Sequence, residues 1–488
     1  MRDIAVNKAD AQKLLIGIVL IIVSGLIAGA ILPLTSALAG YQDGDGILTS
    51  LISTQKLTWY FWGQDRLLNF IPALASPFSD VENNLRFQVF LRAMFAYLSP
   101  LGILIFFTRR PALLLVATAI TNVIVMCSLS QYAQFNFYVQ HNTFGTSLVL
   151  LTIAYSLTYS RLPMLVVAML GLLIMSVAYA TNYALLTYAI PMIAMLSVLR
   201  WPEFRRYIPF FVVNGVAILL ARLHSKTYGE VSTEFGLSIS WQGVIEAFHI
   251  IYENIHPAFF LGFVALAVVC YFVSKERKGA LALCGVVCLA IGLIMLLANT
   301  LWVQMNLYNV RYFLTSMVMI ASVLGFLITR ALMQSRSRYA LVFPGVALVY
   351  CIFFSLGGFG PAYNQLVGVQ WRANAVAVAK LAVNEKARVI TGVFWDVWPA
   401  IYEAKHLQPS LPIFGAALRA HVLKSDFLAV TKGQGDTVAL CFLATAELCA
   451  NEITTYLQIN GDDHLVIKST EPVAAGDKKL LKLIFEIN

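Results

Sequence analysis

The sequence predicts an α-helical polytopic membrane protein with about eleven transmembrane helices and a small C-terminal α/β domain on the outer face. Three observations lead there. Of 488 residues, 59% are hydrophobic and only 12% are charged, whereas a soluble domain carries about 25% charged residues. Apolar stretches recur at membrane-crossing length down to residue 357. Beyond residue 368 charges become frequent, and short β-type runs alternate with helical ones.

Requiring about 20 apolar residues per crossing gives spans at 14–34, 89–108, 111–129, 144–160, 163–180, 184–199, 207–221, 256–273, 279–298, 311–329 and 339–357. The junction charges test this reading. Arg109 and Arg110 follow the second span and Arg161 the fourth. Arg200, Arg205 and Arg206 follow the sixth, Lys275, Arg277 and Lys278 the eighth, and Arg330, Arg336 and Arg338 the tenth. Every second junction is basic, as is the N-terminus with Arg2, Lys8 and Lys13. That alternation is expected if these segments face the cytoplasm, and an error of one span would break it.

The formal net charge of +9 is thereby a topology signal, and it argues against nucleic acid as a partner. The long loops, 35–88, 130–143, 222–255 and 299–310, all fall on the outer side with everything after 358. The expected organisation is a transmembrane module, 1–358, carrying a first outer loop at 35–88, and an outer C-terminal domain, 359–488. No ATP is available on that side, and the sequence has no GxxxxGK[ST] loop. Energy must arrive with an activated substrate.

In the tail, strands are expected at 387–393, 427–431, 437–442, 464–469 and 480–487, and helices at 372–383 and 445–459. Cys441 and Cys449 can form a disulfide in an oxidising compartment if a strand end and a helix bring them close enough. Cys127, Cys270, Cys284, Cys288 and Cys351 sit in apolar spans as small hydrophobes.

The chemistry is expected in the first outer loop. Asp43 and Asp45 stand one residue apart, and a carboxylate there could take a proton from an attacking hydroxyl. Gly44 and Gly46 would let the backbone turn so that both carboxylates point into one cleft, although Asp-Gly pairs also form plain Asx-type turns. The run 48–62 is amphipathic, as an interface-lying helix would be. Trp59 and Trp62 are candidates for stacking on a sugar, with the interfacial aromatic belt as the plain alternative. Gln64, Asp65 and Arg66 follow, Arg66 suited to phosphate and Asp65 to orienting it or to sugar hydroxyls, with an interfacial salt bridge as the plain alternative. Arg311, in NLYNVRYF, opens the tenth span beside Tyr308, Asn309 and Tyr312, and its donor fork suits an anionic lipid phosphate, with snorkelling to the headgroups as the plain alternative. Gln140, His141 and Asn142 form a polar cluster at an outer loop end, which is more often plain loop than site; His141 is its candidate substrate-binding residue. No metal-ligand spacing is present, so neither metal nor cofactor is expected. The aromatic-rich segment 394–404 reads as a core helix, with a glycan-stacking surface as the alternative.

An acidic first outer loop, short basic inner loops and an outer C-terminal domain resemble the GT-C superfamily of integral-membrane glycosyltransferases. The segment WGQDRLLNFIPALASPF looks like a stretch seen in bacterial members, and length and topology are similar to serotype-converting O-antigen glucosyltransferases. The resemblance implies a polyprenyl-phosphate sugar as donor, a cell-surface glycan as acceptor, and a bacterial inner membrane with the C-terminal domain in the periplasm. Asp43 or Asp45 then matches the catalytic acid, and Arg311 the basic residue at the donor phosphate. A WWDYG-type motif is absent, which argues against the oligosaccharyltransferase branch.

Two rival readings stand beside it. An O-antigen polymerase or ligase would carry a large arginine-rich late outer loop, whereas 299–310 is short. A lipid-linked sugar transporter or flippase would need ionisable residues at mid-span, and the spans are nearly free of them.

Overall fold

The computed structural model describes residues 8–34, 42–62, 64–140, 143–157, 162–189, 191–192, 204–229, 236–273, 280–334, 369–459 and 463–487. The expected span 339–357 and His141 lie outside these residues, and 184–199 is described only in part. The chain divides into two compact units. One comprises Met1–Leu38, Val89–Ser225 and Thr233–Pro361; the other comprises Ala39–Gln88, Lys226–Ser232 and Ala362–Asn488. The first outer loop thus belongs with the C-terminal region, a grouping that a boundary at residue 358 does not draw.

The first unit is helical. Helices Lys8–Ile31, Pro111–Ser128, Thr143–Leu157, Met164–Thr181, Phe204–Tyr228, Pro257–Val273, Ala280–Ala298 and Leu314–Gln334 coincide with expected spans. Among the described residues, four helices are long and apolar enough to cross a membrane: Val81–Leu104, Pro111–Ser128, Met164–Thr181 and Leu314–Gln334. Leu15–Ile31, Thr143–Leu157, Pro257–Phe272 and Ala282–Ala298 are shorter apolar helices. Leu173, Leu261 and Phe272 stay 62%, 62% and 72% exposed, more bare apolar surface than water tolerates in a patch but what lipid favours. Inside the unit, small residues admit close neighbours: a Cβ on Gly25 would lie 2.8 Å from Leu98, and one on Gly325 2.5 Å from Thr121. Some buried polar side chains pair within the unit. The Asn122 amide donates to the carbonyls of Tyr97 and Thr118, both at 2.9 Å, and accepts from the Tyr138 hydroxyl at 2.8 Å. Arg92, 1% exposed, donates to the Val139 carbonyl at 3.2 Å.

The second unit is α/β. Its sheet has the order β2-β1-β3-β5-β4, with β1 at Val389–Thr391, β2 at Phe414–Ala416, β3 at Thr437–Cys441, β4 at Leu465–Ala475 and β5 at Lys478–Ile487. β1 runs parallel to β2 and β3 and is buried throughout, as a strand covered on both faces must be. β5 returns antiparallel to β3, and β4 pairs with β5. The pairing of Ala475 with Lys478 leaves a two-residue loop, in which Gly476 takes φ +59°, the positive value that such tight loops need first. A Cys441–Cys449 disulfide ties the end of β3 to helix Ala446–Tyr456 across 6.0 Å between Cα atoms.

Two expectations are corrected here. Residues 427–431 are not a strand; they lie in helix Lys424–Thr431, whose buried Phe427 and Thr431 are four apart on one face. The run 48–62 is not an interface-lying helix. Helix Gly44–Thr54 ends before the aromatics, and Gly46 through Ser53 are all buried. It packs on helix Phe394–Leu407, and hydroxyls that would face headgroups are used internally. Ser50 donates to the Val81 carbonyl at 2.6 Å and Ser53 to that of Pro72 at 2.7 Å. Gln88 donates to the Thr49 carbonyl at 3.0 Å, and Asn84 to the Ser53 hydroxyl at 2.8 Å. Residues 397–404 of the aromatic-rich helix are buried, which is the core-helix reading.

Candidate active site

Three segments of the second unit converge: the start of helix Gly44–Thr54, the loop 59–69, and the turn that follows β2. The two aspartates take different places at the helix start. Asp43 is the N-cap, in extended conformation, and its carboxylate accepts the Gly46 N–H at 3.0 Å. That is the plain capping role of an aspartate. Asp45 lies in the first turn, where a carboxylate is favoured by the unpaired N–H groups of the helix end. The glycines do not supply a sharp turn as expected; both are helical. They admit neighbours instead: a Cβ on Gly44 would sit 3.0 Å from Phe394 and 3.2 Å from Trp395, and one on Gly46 2.8 Å from the Gln42 amide.

The loop 59–69 is a small hairpin. Tyr60 bridges Leu68, the Phe61 N–H donates to the Leu67 carbonyl at 3.0 Å, and the Asn69 N–H to that of Trp59 at 2.8 Å. Asn69 buttresses it from within, its amide donating to the Tyr60 carbonyl at 2.6 Å. Leu67 closes the turn at φ +64°. Gln64, Asp65 and Arg66 therefore fall at the tip, half-buried. Trp62 turns the other way. It is fully buried, donates from its indole to the Lys56 carbonyl at 2.9 Å and packs on Trp398 at 5.7 Å. A ring closed in on both sides cannot stack on a sugar, so that expectation for Trp62 is corrected. The exposed ring is Trp59, at 58%.

The third segment supplies a residue that the sequence did not mark. Arg419 caps the short helical turn Ala420–Leu423 with φ +81°. Its guanidinium lies over the Phe61 ring at 4.6 Å and near that of Phe394 at 5.8 Å. One Nη stands 3.8 Å from Asp45 Oδ1, with the two side chains only 17% and 22% exposed. With the Gln64 amide turned so that its oxygen faces the donors, it accepts from both Arg419 Nη atoms, at 2.5 and 3.2 Å. A first-loop carboxylate, a loop-tip amide and a C-terminal guanidinium thus form one cluster floored by two rings. In sequence Arg419 sits in AALRAHVLK, which reads as ordinary helical punctuation; its left-handed backbone has no cue there.

A second charged cluster links the same regions. His406 Nε2 lies 3.3 Å from Glu82 and its Nδ1 3.8 Å from Asp80, and Glu82 also pairs with Arg86. Glu403, almost fully buried, meets Arg372 at 3.0 Å. Burial pushes the Glu403 carboxyl above the usual carboxylate range, and the Arg372 guanidinium opposes that rise. Burial likewise holds the Tyr402 hydroxyl well above its ordinary value. Among the described residues no group of three or more His, Cys, Asp or Glu is placed to hold a metal ion.

Arg311 belongs to the first unit. Its guanidinium donates to the Tyr312 hydroxyl at 3.0 Å and lies over that ring at 5.1 Å; the Trp302 indole donates to the same hydroxyl at 3.0 Å. Asn309 holds the turn by accepting the Arg311 N–H at 3.1 Å.

No protein-family model matches the chain, and no curated protein matches it significantly. Among solved structures it is similar to the crystal structure of ArnT from Cupriavidus metallidurans in the apo state, with 9% identity, 96% of this chain and 98% of that chain covered, and a TM-score of 0.49. No residue role passes between two chains at that level of likeness.

Proposed function

We propose that this chain is a membrane glycosyltransferase of the GT-C type. It moves a hexose, glucose among the candidates, from a polyprenyl-phosphate donor to an outer-face glycan such as O-antigen. Asp45 is the base. The observation that carries the reading is the division of labour at the helix start: Asp43 is used by the cap, while Asp45 is held beside Arg419 and the tip of the loop that carries Gln64. A positioned carboxylate within a cluster of sugar- and phosphate-binding residue types suits general-base catalysis.

In the step proposed, the acceptor hydroxyl oxygen bonds to the anomeric carbon as its proton passes to the Asp45 carboxylate. The bond from that carbon to the phosphate oxygen breaks, and polyprenyl phosphate leaves with the electron pair. Direct displacement inverts the anomeric centre. The leaving group departs as an anion, so one carboxylate suffices where hydrolases use two. Arg66 stabilises that anion in this reading, and Asp65 takes sugar hydroxyls. The Cys441–Cys449 disulfide supports an oxidising, outer compartment for the C-terminal region.

The test is transfer in membranes from undecaprenyl-phosphate glucose and related polyprenyl-phosphate sugars to acceptor glycan. Turnover by the wild type that is lost in Asp45→Asn supports the reading. Absence of turnover with every polyprenyl-linked sugar overturns it.

A further inference from the structure

We infer that Arg419 is a positioning residue for the Asp45 carboxylate, so that the C-terminal region completes a site begun in the first loop. The inference rests on the transfer reading above. Most exposed ion pairs contribute little because both partners wander. Arg419 does not have that freedom. Its guanidinium is seated on Phe61 at 4.6 Å and against Phe394 at 5.8 Å, its two Nη atoms are held by Gln64, and 17% of the side chain is exposed. The backbone beneath it is left-handed at φ +81°, a conformation that a residue with a Cβ adopts at a cost and only where the surroundings demand it. The fixed guanidinium meets one carboxylate oxygen, Asp45 Oδ1, at 3.8 Å. An ion pair at one oxygen of a carboxylate on a short side chain biases the rotation of the group, and with it the direction from which a hydroxyl proton can be accepted. Gln64 serves as the brace between loop tip and guanidinium.

The backbone geometry supplies a clean variant. Glycine takes φ +81° without strain, so Arg419→Gly removes the guanidinium while leaving the turn intact, and it opens a slot between two aromatic rings that free guanidinium ion fits. The full-length protein in membranes is assayed with undecaprenyl-phosphate glucose and acceptor glycan; retention of the Cys441–Cys449 disulfide on a non-reducing gel reports folding. The expected result is a kcat about 10²-fold lower, the loss that a misplacement of about 1 Å causes, with donor KM unchanged. Millimolar guanidinium chloride should restore part of kcat in Arg419→Gly and none in Asp45→Asn. The double variant Arg419→Gly/Asp45→Asn should be no slower than Asp45→Asn alone, as for groups acting as one unit.

An unchanged kcat in Arg419→Gly, with Asp45→Asn inactive, overturns the positioning role and leaves the transferase reading standing. A raised donor KM at constant kcat also overturns it, and makes Arg419 a donor-phosphate ligand. Failure of the wild type to turn over any polyprenyl-phosphate sugar overturns both.

Discussion

The Asp43 carboxylate accepts the Gly46 N–H at 3.0 Å, and this one hydrogen bond separates two aspartates that the spacing left equivalent. One closes the helix start, and the other lies in its first turn facing Arg419.

Their variants should therefore diverge. Asparagine caps a helix as well as aspartate does, so Asp43→Asn should keep both stability and transfer, and Asp43→Ala should cost about 1 kcal/mol while keeping the rate per folded molecule. Asp45→Asn should lower transfer by about 10²- to 10⁴-fold, the usual worth of a positioned base. Transfer rates at matched expression, alongside thermal unfolding in detergent, read both. A slow Asp43→Asn beside an active Asp45→Asn would exchange the two roles.

The tryptophans divide in the same way. Trp62 and Trp398 are each fully buried and pack in a tilted pair at 5.7 Å, so truncating either to alanine should destabilise by about 3–5 kcal/mol. Trp59→Ala, at an exposed ring, should stay within about 0.5 kcal/mol. Gly415→Ala is the complementary probe, since its Cβ would fall 2.7 Å from Trp398 Cζ3, an overpacking worth about 1–3 kcal/mol. Equal effects for all three tryptophans in thermal unfolding would contradict this assignment.

How much of this was legible depended on how local the signal was. Helices such as Pro111–Ser128 and Leu314–Gln334 announce themselves through uninterrupted apolar length, and strands β3 and β5 through short apolar runs set among charged residues. Residues 427–431 misled because a five-residue apolar run fits either period, and only burial of Phe427 with Thr431 decides. The site was half visible. The first loop stood out by its carboxylates and aromatics, yet whether Asp43 caps, or Trp62 points inward, is a matter of tertiary packing. Arg419 was invisible because its partners Asp45, Phe61 and Gln64 come from the far end of the chain, and neither spacing nor composition records such a meeting.

The Cys441–Cys449 bridge makes a prediction about compartment. In protein taken directly from membranes, both thiols should resist alkylation until a reductant is added, and mass spectrometry should then find both labelled. The Cys441→Ser/Cys449→Ser pair should lose about 2–3 kcal/mol, the loop-closure value for so short a ring. Immediate labelling without reductant would place the C-terminal region in a reducing compartment, against the topology read from the basic junctions.

Glu403 carries the last prediction. Burial raises its pKa above the ordinary carboxylate value, and Arg372 at 3.0 Å opposes the rise without cancelling it. A carboxyl whose folded pKa lies above its unfolded one binds more protons in the folded state between the two values. Its contribution to stability therefore falls as pH rises through that window, which opens near the ordinary value of 4.5. Glu403→Gln removes this titration, so the melting temperature of the wild type minus that of Glu403→Gln should decrease as pH climbs from 4.5 towards neutrality. Arg372→Met takes away the opposing cation, widens the window upward, and leaves a buried carboxylate without its guanidinium at a cost of about 3 kcal/mol at neutral pH. Combining it with Glu403→Gln should recover most of that loss, because no charge is then left to desolvate. A difference curve that stays flat from pH 4.5 upward, or rises, would mean that the Arg372 pairing outweighs burial and that the carboxylate is held ionised.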